Sequence, residues 1–489
     1  MGFKYNVVKN KTIFNINKEK DFSNWYSEIL QKAEICDVRY WVKGFVVIQP
    51  WGARIMEKIY KLFESALKST GHEPSFFPTV IPEKNFRKEA GHVKGFSPQV
   101  FWLENMQGED RVALRPTSET AFYEMYNLWI RSYRDLPFKM YQRANVFRYE
   151  TKATRPLIRG REFWWCEAHD CFATKKEAEA QVLDDVGITR SVMYELLGVP
   201  FWAMKRPEWD KFPGADYTVG SDTLMPDGKI IQQPSTHMLG QHFSKGFNVK
   251  FVDEKEKEQY VWQTCYGPAI SRIMASVISM HGDDGGLVLP YVASPFQVVI
   301  VPMFSEKRGK EISELAFNLK KNFFAESVDV IIDESDKRPG EKFFYWEMKG
   351  VPFRIELGEK ELDSGEITVF VRDIKEKVRL KLGNLVEDIK NMGAEYDVRL
   401  RNKADLFFEG RVVDCKDKKE IQKVLNQVKI ARFNFCSVDL DGEGCAGILE
   451  KEFGAEVRGT VIDKKEKANG KCPFCGKKAN VVVYAGKSY

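Results

Sequence analysis

The sequence predicts a multidomain α+β chain. Residues 1–295 form a domain on an antiparallel sheet, 296–395 a compact α/β domain, and 396–489 a small α/β domain that holds a metal through cysteines. Three observations carry this reading. Between Lys139 and Gly267, strand-like stretches follow one another with few helices between them, which favours antiparallel pairing with helices packed on the sheet. After Pro295, apolar runs alternate with helical patterns, the signature of an α/β unit with a largely parallel sheet. Near the end, Cys436, Cys445, Cys472 and Cys475 cluster as metal ligands do. At 489 residues the chain is also too long for one core.

The elements follow in order. "PWGARIMEKIYKLFESALKSTG", from Pro50, puts Ile55, Ile59, Leu62, Phe63, Ala66 and Leu67 on one helical face, and Gly71 stops the helix. A short strand ending near Pro78 follows. "KMYQRANVFRYE", "REFWWCEAHD" and "YVWQTCYG" read as strands, and "DEKEKE", Asp253 to Glu258, as a solvated turn. Thr174 with Glu177 makes a capping box for a helix that reaches about Gly198. In the second region "FQVVIVPM", "VDVIID", "FRIEL" and "ITVFVRD" are strands, with helices over 310–324 and around 342–348.

Bulk properties narrow the class. Hydrophobic residues make up 43% and aromatics 13%, so the chain has material for packed cores and disorder is not the default. The net charge of +5 over 75 basic and 70 acidic residues permits a polyanionic partner without requiring one. Nine cysteines in a chain this size are no disulfide framework and fit a reducing compartment. The first residues, MGFKYNVVKNK, lack the apolar core of a secretion signal, and Asn6 spoils a myristoylation pattern. Residues 285–305 carry no charge and match a membrane span in length, but Pro290, Pro295 and Pro302 would break a single helix there. The expected location is the cytoplasm, with no membrane partner.

The chemistry is concentrated in "VFRYETKATRPLIRGREFWW", Val146 to Trp165. Two strands, over 145–150 and 161–167, flank a loop holding Lys152, Arg155 and Arg159, with Arg161 where the second strand begins. Strand alternation puts Arg148 and Glu150 on one face. Arg148 offers a planar fork for a carboxylate or phosphate. Glu150 can accept from an exocyclic amine, the loop cations can close over a polyphosphate, and Phe163 can stack on a purine. An exposed hairpin with ordinary salt bridges explains the same residues, and they do not decide between the two readings.

The stretch resembles motif 2 of class II aminoacyl-tRNA synthetases. The helix and strand ending at Pro78 resemble motif 1, the dimer element, and "CYGPAISR", Cys265 to Arg272, resembles motif 3. "RPTSET", Arg115 to Thr120, "WCEAH", Trp165 to His169, and "STHMLGQHFSKGF", Ser235 to Phe247, are similar to the prolyl-tRNA synthetase family of the archaeal and eukaryotic type, over nearly the whole chain. The resemblance implies a homodimeric ligase that uses ATP and Mg²⁺ to activate L-proline and charges tRNA(Pro). It implies a proline pocket of Phe96, Thr117, Glu119, Arg148, Trp165, His169 and His237. It implies an ATP site of Arg148, Glu150, Arg159, Phe163, Gln232, Ser235 and Arg272, with Arg148 and Arg272 as the catalytic pair. Trp165 and Phe96 are also plausible core, His169 a plausible structural histidine, and His237 open between the two. Gly160 and Pro234 depart from the usual pattern near the nucleotide, and motif 3 has Pro268 and Ala269 where many relatives carry further glycines.

The second region resembles the anticodon-binding domain of these enzymes. Arg338, Lys342, Glu356 and Arg372 are its candidates for reading bases, and Phe343, Phe344 and Trp346 sit too close together for all to face RNA. Cys436, Cys445, Cys472 and Cys475 would hold a structural Zn²⁺ tetrahedrally, and the family has a zinc domain here. The final "AGKSY" resembles the family's tyrosine terminus, which folds back toward the catalytic domain. Between Glu167 and Cys265 lie only about a hundred residues, filled by the helix and strands already read. Relatives of the bacterial type carry a large hydrolytic editing domain in this interval, so the resemblance implies none here, and alanine should be misactivated. Two rivals remain. One is a sister enzyme for threonine, serine or glycine, although a threonine enzyme would need an active-site zinc and the legible zinc ligands lie in the last region. The other is a non-catalytic paralogue.

Overall fold

In the computed structural model, the described residues are 14, 16–88, 100–104, 111–151, 153–305 and 307–489. Helix α1 spans Phe22–Lys32, and α2 spans Pro50–Ser69 with proline in its first turn, where the missing N–H costs nothing. α2 buries Ile55, Ile59, Phe63 and Leu67 as its pattern predicts, while Leu62 and Ala66 sit at the rim. The strands and helices of the first region then run β1 (Glu73–Pro74), α3 (Glu119–Trp129), β2 (Phe138–Phe147), β3 (Glu162–Phe172), α4 (Lys175–Thr189), β4 (Trp202–Lys205), β5 (Tyr217–Leu224), β6 (Lys229–Gly240), β7 (Trp262–Gly267) and α5 (Ile270–His281). α4 begins at the Thr174–Glu177 capping box and continues through a π-helical turn, Arg190–Leu196, to Gly198 in the left-handed region. Ile273, Met274 and Val277 of α5 join the face of α2 in one apolar core.

The second region runs β8 (Val298–Pro302), α6 (Gly309–Ala325), β9 (Val330–Ile332), α7 (Pro339–Lys349), β10 (Phe353–Leu357), β11 (Glu366–Val371), β12 (Glu376–Lys381) and α8 (Leu385–Phe408). Its sheet, in the order β9-β8-β10-β11-β12, is mixed. β8 pairs parallel with β9 and β10, whereas β10–β11 and β11–β12 are antiparallel. The largely parallel sheet expected from the sequence is therefore corrected. The alternating pattern of "EKVRLK" hides an edge strand among charges, so β12 was not legible. α8 runs unbroken across 395/396, where composition alone places a boundary.

The last region adds β13 (Val412–Cys415), β14 (Ile430–Phe435), α9 (Glu443–Phe453), β15 (Glu456–Val461) and β16 (Val481–Ser488). These strands do not form a separate sheet. They extend the first one into eleven strands, ordered β13-β14-β16-β15-β4-β5-β6-β7-β3-β2-β1. The seam is β15 on β4, Thr460 opposite Lys205, reinforced by β16 running parallel to the start of β6. Gly459 permits the seam, since a Cβ there would lie 1.9 Å from the Lys205 carbonyl oxygen. The central strands β4 to β7, β3 and β2 are antiparallel, as expected. Among the described residues no helix is long and apolar enough to cross a membrane.

Candidate active site

The β2–β3 ladder ends at Phe147 opposite Glu162. Both strands sit further from the loop than the sequence suggested, so Arg148 and Glu150 lie beyond the ladder. The loop backbone, not strand alternation, positions them. Arg148 N–H donates to the Arg161 carbonyl at 2.9 Å and Glu150 N–H to the Arg148 carbonyl at 2.7 Å. Phe163 and Trp165, two apart on β3, share a face with ring centroids 5.4 Å apart. The Arg148 guanidinium stands 5.3 Å from the Phe163 ring and 5.7 Å from Trp165, and its Nε donates to the Pro116 carbonyl at 3.1 Å. Arg272 approaches the Phe163 ring at 5.9 Å, donating through Nε to Ile158 and through Nη1 to the Gln232 carbonyl. Burial, then Arg148 and Arg159, lower the Arg272 pKa to about 10. Gly267 keeps this aromatic wall in place, because a Cβ there would meet Trp165 at 2.2 Å.

A second cluster lies on neighbouring strands and the start of α3. Thr117 Oγ1 donates to Glu119 Oε2 at 2.5 Å, and the Cys265 thiol donates to Glu119 Oε1 at 3.2 Å. His169 stands opposite Cys265 in the β3–β7 register, and its ring packs on Phe122 at 4.3 Å. His169 Nε2 meets Glu167 Oε2 at 3.2 Å, while Glu167 Oε1 accepts from Gln142 Nε2 at 2.8 Å and from Ser118 Oγ. Burial works against the His169 cation, but the Glu167 bond and Glu119 outweigh it and hold its pKa up. His237 is the opposite case. Burial, then Arg148 and Arg206, push it down to about 3, and its two nitrogens pair with Thr218 Oγ1 at 2.8 Å and Ser235 Oγ at 3.1 Å. His237 is therefore neutral, packed on Phe212 at 4.5 Å.

The structure thus brings Thr117, Glu119 and His169 into one buried group and Arg148, Phe163, Trp165 and Arg272 into another beside it. Glu150 and Arg159 face each other at 3.6 Å, and Arg159 Nη2 also donates to the Tyr489 carbonyl. Tyr489 does fold back to this loop, its hydroxyl donating to Asp227 Oδ1 at 2.7 Å. Gln232 is half-buried beside Arg272, and Ser235 is buried against His237. A cavity of about 540 Å³ opens between 38–46 and the loop 154–160, bounded by Arg155, Arg159, Phe163 and Ser271. Phe96 and Lys152 lie outside the described residues. The sequence reading missed Glu167, although it shares a β3 face with Trp165 and His169 and alternation could have found it. It also missed Arg206, Asp222 and Arg458, which meet only in three dimensions.

The base-reading candidates need correction. Lys342 is buried and donates to the Asp333 carbonyl at 2.9 Å. Glu356 is buried between Arg354 at 3.0 Å and Lys377 at 2.7 Å. Arg372, 2% exposed, grips Asp283 with bonds of 2.9 and 2.7 Å, tying the second region to the first. All three are spent inside the protein. Of the four, only Arg338 is exposed, at the start of α7. The aromatic trio sorts as its crowding requires. Trp346 is buried and donates to Asp333 at 2.8 Å, Phe343 lies under Arg354, and Phe344 is 49% exposed.

Cys436, Cys445, Cys472 and Cys475 place their sulfurs within 4.8 Å of one another, although they come from three separate segments. Four thiols converging without a disulfide fit a tetrahedral metal. Glu119, His169 and Cys265 also converge within that distance, as do His72, Asp170 and Asp185, but both groups already hydrogen-bond internally.

An antiparallel sheet bearing an arginine-flanked aromatic wall, backed by a second arginine on the helix after β7, defines a class II aminoacyl-tRNA synthetase core. The family model for the tRNA synthetase class II core domain (G, H, P, S and T) matches residues 101–281. The anticodon binding domain model matches 297–392, and the prolyl-tRNA synthetase C-terminal model matches 418–489. The chain is 48% identical to a proline–tRNA ligase of Thermofilum pendens, covering 97% of this chain and 98% of that one. It is 43% identical to one of Methanopyrus kandleri, covering 96% of each. A structure of Giardia lamblia prolyl-tRNA synthetase in complex with prolyl-adenylate superposes with a TM-score of 0.92 at 36% identity, over 97% of this chain and 100% of that one. The chain belongs to the proline–tRNA ligase family, and its substrates are proline, ATP and tRNA.

Proposed function

We propose that the buried group around Glu119 is the proline pocket and the arginine–aromatic group beside it the nucleotide cradle. The observation that carries this is their adjacency: Arg148 reaches both, standing over Trp165 and Phe163 while its charge is felt by Glu119. Thr117 and Glu119 accept from the secondary ammonium. Trp165, His169 and His237 wall the ring. Arg148 holds the carboxylate beside the α-phosphate. Phe163 and Arg272 sandwich the adenine, Glu150 accepts from its amino group, and Gln232 and Ser235 contact the ribose and phosphates.

A proline carboxylate oxygen attacks the α-phosphorus in line, and the bond to the β-phosphate bridging oxygen breaks. Pyrophosphate leaves toward Arg159 and Arg272, and the charge that develops on the α-phosphate falls on Arg148. Bound Mg²⁺ would supply further charge neutralisation at the phosphates. The 3′-terminal hydroxyl of tRNA(Pro) then attacks the adenylate carbonyl and AMP leaves. No side-chain nucleophile takes part. Burial, then Glu119, hold the Cys265 thiol well above its usual pKa, so it stays protonated.

Four further assignments belong to this reading. Zn²⁺ sits on Cys436, Cys445, Cys472 and Cys475 as a structural ion. The chain is a cytoplasmic homodimer through α2 and the segment after it, where Phe76 is 87% exposed. Its domains divide at 295/296 and at 395/396, the second division falling inside the continuous helix α8. Arg338 and Phe344 meet the anticodon. An apolar pocket rejects a smaller side chain by only about 1–3 kcal/mol per methylene, so alanine is activated too, and among the described residues no domain inserted between Glu167 and Cys265 stands to clear it. The test is ATP–pyrophosphate exchange without tRNA, run with proline, alanine, threonine, serine, glycine and cysteine. Proline should dominate, with a weak alanine signal. Exchange led by another amino acid would sink the pocket assignment, and rapid hydrolysis of alanyl-tRNA by the purified chain would sink the editing claim.

A further inference from the structure

Asp222 of β5 is fully buried between two arginines. Arg206, just after β4, donates to Oδ2 at 2.7 Å and to Oδ1 at 2.6 Å. Arg458, on β15 of the last region, donates to Oδ2 at 2.9 Å and to Oδ1 at 3.0 Å. The two arginines also meet directly, since Arg206 Nη1 donates to the Arg458 carbonyl at 2.9 Å. Burial raises the Asp222 pKa, and the two guanidiniums more than reverse that, to about 2. Arg458 Nη1 also donates to Glu456 Oε2 at 2.8 Å and Arg206 Nε lies 3.7 Å from Asp210 Oδ2, so three carboxylates share the two cations and hold both forks in a fixed direction. Arg206 Nη2 continues to Gln232 Oε1 at 3.1 Å, and Gln232 stands opposite Asp222 in the β5–β6 register. Gly220 leaves room for the fork, since a Cβ there would lie 2.2 Å from Arg206 Nη2.

A guanidinium has no acceptor. The Gln232 amide must therefore turn its oxygen toward Arg206, which leaves its NH₂ as the donor for a ribose or phosphate oxygen. The Gln232 carbonyl, in turn, accepts from Arg272 at 3.4 Å. We propose that Arg458, Asp222 and Arg206 are positioning residues through which the cysteine-bearing region orients Gln232 and so sets the affinity for ATP. This rests on the reading of Gln232 as a nucleotide contact. It explains why strands of the last region join the catalytic sheet at β4, the strand that leads into Arg206. The region then does more than bury apolar surface, because it fixes a donor at the nucleotide.

The experiment is a double-mutant cycle on the full-length, metal-loaded protein, read by proline-dependent ATP–pyrophosphate exchange. Arg458→Lys keeps a cation on Asp222 but loses the fork, so it disturbs folding least. It should raise the ATP KM by about 3- to 30-fold and leave the proline KM in place. Gln232→Ala should also raise the ATP KM, and in that background Arg458→Lys should add little. Arg206→Lys should behave as Arg458→Lys does. A lower melting temperature with unchanged ATP KM in Arg458→Lys would make the network merely structural and overturn the proposal. Equal shifts in the ATP and proline KM would do the same. Additive effects of Arg458→Lys and Gln232→Ala would overturn the coupling alone and leave the site reading intact. An unchanged ATP KM in Gln232→Ala would remove the site reading and the proposal together.

Discussion

Arg148 and Arg372 are both arginines near strand ends, both withdrawn from water, and they have opposite fates. Arg372 gives two bonds to Asp283 and a third to the Glu347 carbonyl. Burial disfavours its cation, but Asp283 overcomes this and its pKa stands above the usual value. Arg148 is held over two aromatic rings, and burial prevails over Glu119, Glu167 and Glu150, so its pKa falls. An arginine whose charge is satisfied internally fastens two parts of the chain. One whose cation is disfavoured by burial, set over two aromatic rings in a cleft, gains from a ligand's carboxylate or phosphate. In sequence the two look alike.

Substitutions can break this comparison. Among the described residues, Arg372→Leu leaves Asp283 with the exposed Lys375, at 3.0 Å, as its ion-pair partner. It should cost about 3–5 kcal/mol of stability, visible as an earlier denaturant midpoint. A stable Arg372→Leu protein with a raised tRNA KM would return Arg372 to the anticodon site. Arg148→Ala should do the reverse. Exchange activity should fall by about 10²- to 10³-fold with little change in melting temperature, and a large loss of stability would make it a structural residue like Arg372.

Acid should separate the regions less sharply. Burial lowers the His281 pKa from 6.5 to about 4, and its Nε2 donates to the Leu197 carbonyl at 2.8 Å. The unfolded chain therefore binds the proton more readily than the folded one. This contribution is complete above pH 6.5 and is lost as pH falls through about 4, on the order of 3 kcal/mol. His237 acts in the same direction. His169, whose pKa is held up, acts in the opposite direction, so the check is a difference: between pH 7 and pH 4 the unfolding free energy of the parent should lose more than that of His281→Gln. The smallest expected effect is Phe344→Ala. Losing one base stack costs about 1–3 kcal/mol, read as a higher tRNA KM in aminoacylation; an unchanged KM would leave Phe344 an ordinary surface residue.

Much of the first site was legible because its residues are near one another in sequence or on one strand face. "FRYE" and "REFWW" announced Arg148, Phe163 and Trp165, and alternation along β3 carries Trp165, Glu167 and His169. Helix α2 and the capped α4 were equally plain from their periodicity and their caps. Among the base-reading candidates, Glu356 shares a strand face with Arg354, two residues earlier, so alternation could have paired them, and Lys342 meets Asp333 only because the turn before α7 brings them together. Arg372 failed because its partner is far away in the chain: Asp283 decides that it faces a buried counter-ion, and no spacing rule joins the two. The same holds for the β15–β4 seam, where a single glycine admits a strand from the last region into the first sheet. The mixed second sheet failed for a different reason. The tight turn between β11 and β12 reverses the chain within a charged stretch whose apolar alternation is only Val378 and Leu380.

The most direct test of the pocket assignment is the pair of KM values for proline and ATP in Glu119→Gln, measured by ATP–pyrophosphate exchange. The amide keeps the shape and the Thr117 contact but removes the charge that the proposed pocket sets against the proline ammonium. A charge-assisted bond is worth about 1.5–3 kcal/mol, so the proline KM should rise by about 10- to 100-fold while the ATP KM stays in place. An unchanged proline KM, or an ATP KM that rises with it, would contradict the assignment of this buried group to proline.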